Sequence, residues 1–203
     1  LEAIRQKIVA HVGAEMIVGG CRARECEMGV LIADAMLESV KSQGVQIAIQ
    51  NDGGIRASLD TGEVTMGEIL TILPFQNTLS TFRVSGATLL AALENGVSQV
   101  EEGAGRFPQV AGLTYAFDPA GTVGKRVSDV RVLHSGRAVP LDPVKLYSVV
   151  SNNYLRNGGD GYKMFKTAQD VYDFGPDLAD IVAEYMAAHA PYQPYLAGRI
   201  IEK

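Results

Sequence analysis

The irregular order of helix-type and strand-type segments is what most constrains the fold of this chain. Met28, Leu31, Ile32, Ala35, Met36 and Val40 recur on one face, with Asp34, Glu38 and Lys41 opposite. That 3.6-residue period predicts an amphipathic helix over 28–40, and Gly44 follows as its stop. Ser85 opens a second helix through Leu89, Leu90, Leu93 and Val97, and Pro176-Asp177 opens a third carrying Leu178, Ile181, Val182, Tyr185 and Met186. Thr65-Met66-Gly67-Glu68 fits a capping box before Ile69, Leu70 and Ile72, and Pro74 closes that helix. Strand-type runs lie at 45–49, 78–84, 113–117, 127–133 and 147–151. Helices and strands do not alternate regularly, so the expectation is an α+β or layered α/β domain rather than a regular doubly wound sheet.

With 203 residues the chain is long enough for one good-sized domain. It shows no internal repeat and no low-complexity linker. Residues 15–203 are expected to form that domain. Leu1, Ile4, Ile8 and Val12 recur at helical spacing, so residues 1–14 read as the end of a connecting helix from an upstream domain. The chain opens on Leu rather than Met, which reads as a piece of a longer protein.

Lys and Arg number 18 against 23 Asp and Glu, a net charge of −5. No basic block offsets this, so a nucleic-acid footprint is excluded, and an anion would have to be held by a few local arginines. No apolar run approaches the roughly 18 residues of a membrane span. The chain has 2 Cys and 3 His. His11, His134 and His189 lie far apart and outside any metal-ligand spacing, and no G-x-S-x-G elbow is present. The sequence thus carries binding groups without an evident nucleophile, base or metal centre.

Four segments carry those binding groups. Cys21 and Cys26 bracket Arg22 and Arg24; their spacing allows a local disulfide in an oxidising compartment, or two reduced thiols. Asn51-Asp52-Gly53-Gly54-Ile55-Arg56 directly follows a strand-type run, with two glycines that let backbone approach a ligand and an Arg fork suited to phosphate or carboxylate. It is no dinucleotide fingerprint, and Gly121 to Arg126 is no P-loop. Leu73-Pro74-Phe75-Gln76-Asn77 is a helix exit bearing a ring, and Asn152 to Tyr162 gathers an aromatic, amides and Asp160 in one loop. Gly158 to Gly161 lacks the alternating ligands of a calcium loop. Taken singly, Phe75 reads as core packing and Tyr154 as a rim residue. Taken together, two aromatics could sandwich a flat ring and Asp160 could accept from a sugar diol.

Five strings, in this order and covering nearly the whole chain, resemble the C-terminal domain of the 5′-nucleotidase family: residues 21–29 (CRARECEMG), 51–56 (NDGGIR), 73–77 (LPFQN), 105–112 (GRFPQVAG) and 153–162 (NYLRNGGDGY). The resemblance implies a layered α/β/β/α fold of mixed sheets flanked by helices. It implies that this domain supplies the nucleotide-specificity pocket, while an N-terminal metallophosphoesterase domain of the same protein holds two divalent metal ions, such as zinc or manganese, and the catalytic residues.

Carried over by position, Arg22 and Arg56 would hold the phosphate and ribose side, and Asn51 would reach the base region. Phe75 and Tyr154 would stack on the two faces of the base, Asp160 would bind the ribose hydroxyls, Asn77 would touch the base edge, and Gly112 would leave room near the pocket. The resemblance also implies the Cys21–Cys26 disulfide and export to the periplasm or the outside of the cell. Tyr154 stands where many members have Phe. Val18 stands near where some bacterial members carry a further Arg, which favours nucleoside monophosphates as ligands. A 2′,3′-cyclic nucleotide phosphodiesterase, a UDP-sugar hydrolase and a non-catalytic nucleoside-binding module are the alternatives.

Overall fold

All 203 residues are described by a computed structural model. In chain order, its elements begin with helix α1 (Glu2–Arg5), strand β1 (Ile8–Val12), helix α2 (Glu27–Ser39), and strands β2 (Ile47–Asn51) and β3 (Gly62–Thr65). Helix α3 (Met66–Ile72), strand β4 (Leu79–Ser85), helix α4 (Gly86–Val97), and strands β5 (Pro108–Ala111), β6 (Leu113–Phe117), β7 (Val127–His134), β8 (Arg137–Pro140) and β9 (Leu146–Asn152) follow. The chain ends with helix α5 (Asn153–Arg156), strand β10 (Gln169–Tyr172), helix α6 (Leu178–Ala188) and strand β11 (Ile200–Glu202).

The central sheet has the order β10-β4-β9-β2-β5, and β2 and β9 are its one parallel pair. Both of its faces are covered. Ala48, Ala111 and Val150 face a core shared with α2, α6, α3 and β1. Ile47, Ile49, Phe82, Val84, Val110 and Val149 face a second core, closed by α4 and by Tyr115, Phe117 and Val132 of the second sheet, β11-β6-β7-β8. A strand covered on both sides reads as a continuous apolar run, which is why β2 is buried at every position. On the α2 face, Ala48 pairs with Ala111 across β2 and β5, and these two small side chains let the helix sit close. The sequence pattern leads to an α+β or layered α/β domain and the resemblance to mixed sheets flanked by helices, and both are found.

Local signals set the ends of these elements. The Thr65 hydroxyl accepts from the Glu68 backbone N–H at 3.2 Å while the Glu68 carboxylate accepts from the Thr65 N–H at 2.8 Å, completing the capping box. Ser85 caps α4 by accepting from the Thr88 N–H at 3.1 Å.

Two expectations are corrected here. Helix at the N-terminus covers only Glu2–Arg5, and residues 8–12 form a strand that pairs with β3. A spacing of four residues satisfies a two-residue period as well as a helical one, and Ile8, Val9 and Val12 are β-branched. Ala10 and Val12 point into the α2–α6 core, so this segment packs against the domain as a strand. Gly112, expected beside the pocket, instead forms the turn between β5 and β6. It has φ +75°, and an added Cβ would lie 2.0 Å from the Gln46 carbonyl oxygen. Gly112→Ala should therefore lower unfolding stability by more than about 2 kcal/mol, read as a fall in urea midpoint at unchanged slope.

Candidate functional site

The parallel pair β2 and β9 ends at the same edge, and both chain exits open onto one cleft of about 520 Å³. Loops at the carboxyl ends of adjacent parallel strands are a usual place for a ligand in such sheets. Arg22, Asn51, Gly53, Gly54, Arg56, Phe75, Asn77, Gly105, Tyr154 and Asp160 line it. Seven of the eight candidate binding residues thus meet in one place, although they come from four separate segments; Gly112 is the exception.

Each wall is held by hydrogen bonds within the protein. On the β2 side, Asn51 donates through Nδ2 to Asp160 Oδ2 at 2.8 Å. Its own Oδ1 accepts from Asn152 Nδ2 at 2.9 Å, which orients the amide. Asp160 sits at φ 53°, between the left-handed Gly158 and Gly161. Its Oδ1 accepts from the Tyr154 hydroxyl at 3.1 Å. Partial burial and the neighbouring Asp160 carboxylate push the Tyr154 phenol above its usual pKa, so it stays a donor at neutral pH.

Phe75 is 57% exposed and Tyr154 47%, so neither is core. Their loops are tied together by Asn153: its Oδ1 accepts from the Thr78 N–H at 3.0 Å, and its N–H donates to the Thr78 carbonyl at 2.9 Å. At the floor the main chain closes on itself. The Gly53 N–H donates to the Gly105 carbonyl at 2.8 Å, and a Cβ on Gly105 would lie 2.8 Å from the Gly53 Cα. Gly105 is a lining residue that sequence reasoning missed. Its one signal is its place at the head of the GRFPQVAG string.

Cys21 and Cys26 are joined in a disulfide, and Arg22 projects from the loop it closes. Buried Gln109 holds that loop from beneath, donating through Nε2 to the Cys21 and Arg24 carbonyls, both at 2.9 Å, and accepting from the Cys26 N–H at 3.3 Å. Arg22 itself donates to the Gly103 carbonyl at 3.0 Å and pairs with Asp52, Nε to Oδ2 3.2 Å. Arg56, by contrast, is exposed and forms no ion pair. The cleft therefore carries a cationic end, two exposed rings and a carboxylate. No group of three or more His, Cys, Asp and Glu is placed to hold a metal ion, and no helix is long and apolar enough to cross a membrane.

Residues 7–167 match the family described as the 5′-nucleotidase C-terminal domain. The chain belongs to that family. The 5′-nucleotidase precursor of Thermus thermophilus superposes on this 5′-nucleotidase C-terminal domain with a TM-score of 0.95 and 43% identity, over 99% of this chain and 40% of that one. The trifunctional nucleotide phosphoesterase protein YfkN of Bacillus subtilis is 40% identical over 184 residues, 89% of this chain and 13% of that protein. The human 5′-nucleotidase is 34% identical over 194 residues, 89% of this chain and 34% of its own length. The chain thus spans only a minor part of these relatives.

Within this domain Asp52 is the most perturbed carboxylate. Burial pushes its pKa up to about 6 from 3.8, against the pull of Arg22 and Arg56. A group whose pKa is raised by folding contributes stability that is complete below its unfolded value and is lost as pH rises through its folded one. Here that window runs from about 4 to about 6. Asp52→Asn should accordingly raise unfolding stability at pH 7.5 by about 2–3 kcal/mol and change it little at pH 4, read from urea midpoints at the two pH values.

Proposed function

We propose that the cleft binds the base, ribose and phosphate of a nucleoside 5′-monophosphate, and that this chain is the substrate-binding part of a 5′-nucleotidase. The observation that carries the reading is that Phe75 and Tyr154, 79 residues apart in sequence, both remain exposed on one cleft that also holds Arg22, Arg56 and Asp160. Aromatic faces suit a base, guanidinium suits phosphate, and a carboxylate already positioned by Asn51 and Tyr154 suits a vicinal diol. Asn51 and Asn77 then reach the base region.

The residues present do not fit a catalytic metal pair, and no reaction step is assigned to them. Hydrolysis belongs to an adjoining metallophosphoesterase domain with two divalent metal ions, as the family membership suggests. The contribution of this chain is positioning: contacts to base and ribose hold the phosphate ester in register for chemistry elsewhere. The name of the B. subtilis relative, a trifunctional nucleotide phosphoesterase, supports a pocket of this type serving more than one phosphoester. The precursor status of the Thermus relative and the disulfide favour a periplasmic or extracellular setting.

Calorimetric titration tests the reading. Adenosine and AMP should bind this chain saturably. Phe75→Ala and Tyr154→Ala should each weaken adenosine by about 1–3 kcal/mol, roughly 5- to 150-fold, whereas Tyr154→Phe should keep most of the affinity. Adenosine binding that survives both alanine variants unchanged would remove the rings from the site.

A further inference from the structure

The Asp52 carboxylate faces the back of the Arg22 guanidinium. Its side chain is 3% exposed, against 43% for Arg22, so the cation fronts the cleft and the anion lies behind it. Arg22 has a second anchor in the Gly103 carbonyl, so its orientation does not rest on Asp52 alone. Asp52 is also an expensive residue to keep. Its Oδ1 is buried without a hydrogen-bond partner, although its main chain is fully engaged, the N–H with the Phe107 carbonyl and the carbonyl with the Ile55 N–H. A fold gains little stability from a buried carboxylate with one oxygen unpaired, which directs attention to what its charge does for the cleft.

We propose that Asp52 sets the charge at the phosphate end of the cleft, cancelling one of its two guanidinium charges and thereby limiting how strongly the site prefers an anionic nucleotide to the uncharged nucleoside. The proposal rests on the nucleotide-binding reading above and makes Asp52 a specificity-determining residue that touches no ligand. The charged groups that face it are Arg22, from the disulfide loop, and Arg56, from the end of its own turn. Asp160 is engaged by Asn51 and Tyr154, and Arg106 by Asn95 and Ser98. With Asp52 ionised, Arg22 and Arg56 present a net charge of about +1 to a phosphate, and with Asp52 protonated about +2. Burial already brings its titration close to neutrality, and an arriving phosphate dianion raises its proton affinity further. Phosphate binding is therefore linked to proton uptake at this carboxyl.

The test compares this chain with D52N, which keeps an oxygen for Arg22 and removes the charge. Each is titrated with adenosine and with AMP at pH 8 and at pH 5. Adenosine should bind both proteins equally. At pH 8 the AMP-over-adenosine affinity ratio should be about three- to tenfold higher in D52N, the size expected of one nearby charge in a partly solvated site. At pH 5 the two ratios should converge, because Asp52 is then protonated. The phosphate of free AMP titrates in the same range, with a second pKa of about 6, but at each chosen pH both proteins meet the same ligand, the dianion at pH 8 and mainly the monoanion at pH 5, so the comparison is made at fixed ligand charge.

A ratio at pH 8 that is equal or lower in D52N overturns the proposal. So do ratios that stay apart at pH 5, and so does a loss of adenosine binding confined to D52N. Failure of adenosine to bind the unmodified chain overturns the nucleoside-pocket reading itself, and this proposal with it. A second measurement needs no variant: the ¹³C carboxyl titration of Asp52 should move to higher pH on adding AMP and stay in place on adding adenosine. An AMP-independent midpoint overturns the linkage.

Discussion

The cleft depends on one buried amide, that of Asn152, at the end of the only parallel junction in the central sheet. Its Nδ2 donates across the junction to Gln50 Oε1 at 3.0 Å and to Asn51 Oδ1 at 2.9 Å. Its Oδ1 accepts from the Leu155 N–H at 2.9 Å and so caps the helix that carries Tyr154. The side chain is fully buried, and every one of these bonds is made where water cannot substitute. By occupying the Asn51 oxygen it leaves the Asn51 nitrogen to face Asp160. One residue therefore sets the end of β2, the start of α5 and, through Asn51, the carboxylate that stands between them.

The other walls follow a related plan, in which a polar side chain holds loop main chain and leaves the tip groups free. Buried Gln109 grips two carbonyls of the disulfide loop, and half-buried Asn153 accepts from the Thr78 N–H, next to the segment that carries Phe75 and Asn77. Preorganisation of this kind lowers the ordering cost of binding, since the loops are already held before a ligand arrives. It also explains how rings as exposed as Phe75 and Tyr154 are aimed without being packed into a core.

Much of this is legible in the sequence, and the exceptions have physical reasons. Helices α2, α3 and α4 are readable from their apolar stripes, and α3 and α4 also from their caps at Thr65 and Ser85. Strands β5, β8, β10 and β11 have three or four residues each, too short to show a period. The N-terminal strand reads as helix because four-residue spacing fits both periods. Among the site residues, Arg22, Asn51, Arg56, Phe75, Asn77, Tyr154 and Asp160 stand out through the family resemblance; their spacing alone does not group them. Gly112 is drawn in by lying in a matching string, where its actual task is a left-handed turn against Gln46. The supports Asp52 and Gln109 lie in matching strings and Asn152 opens the last loop, but nothing there marks them as supports, because a buried polar side chain is recognised as one only once its partners are known.

The small-against-large division across β2 has a consequence for how this domain can change. Ala48 faces α2, while Ile47 and Ile49 face the opposite core. A slip of one residue would drive isoleucines against the helix and leave a void on the other side, so steric fit acts as a ruler along the strand. The same ruler places Asn51 beside Asn152. Selection for a well-packed interior therefore preserves the geometry of the cleft edge without acting on binding at all. Inherited drift is then free to work on the loop tips, where a change of ligand need not disturb the strands that carry it.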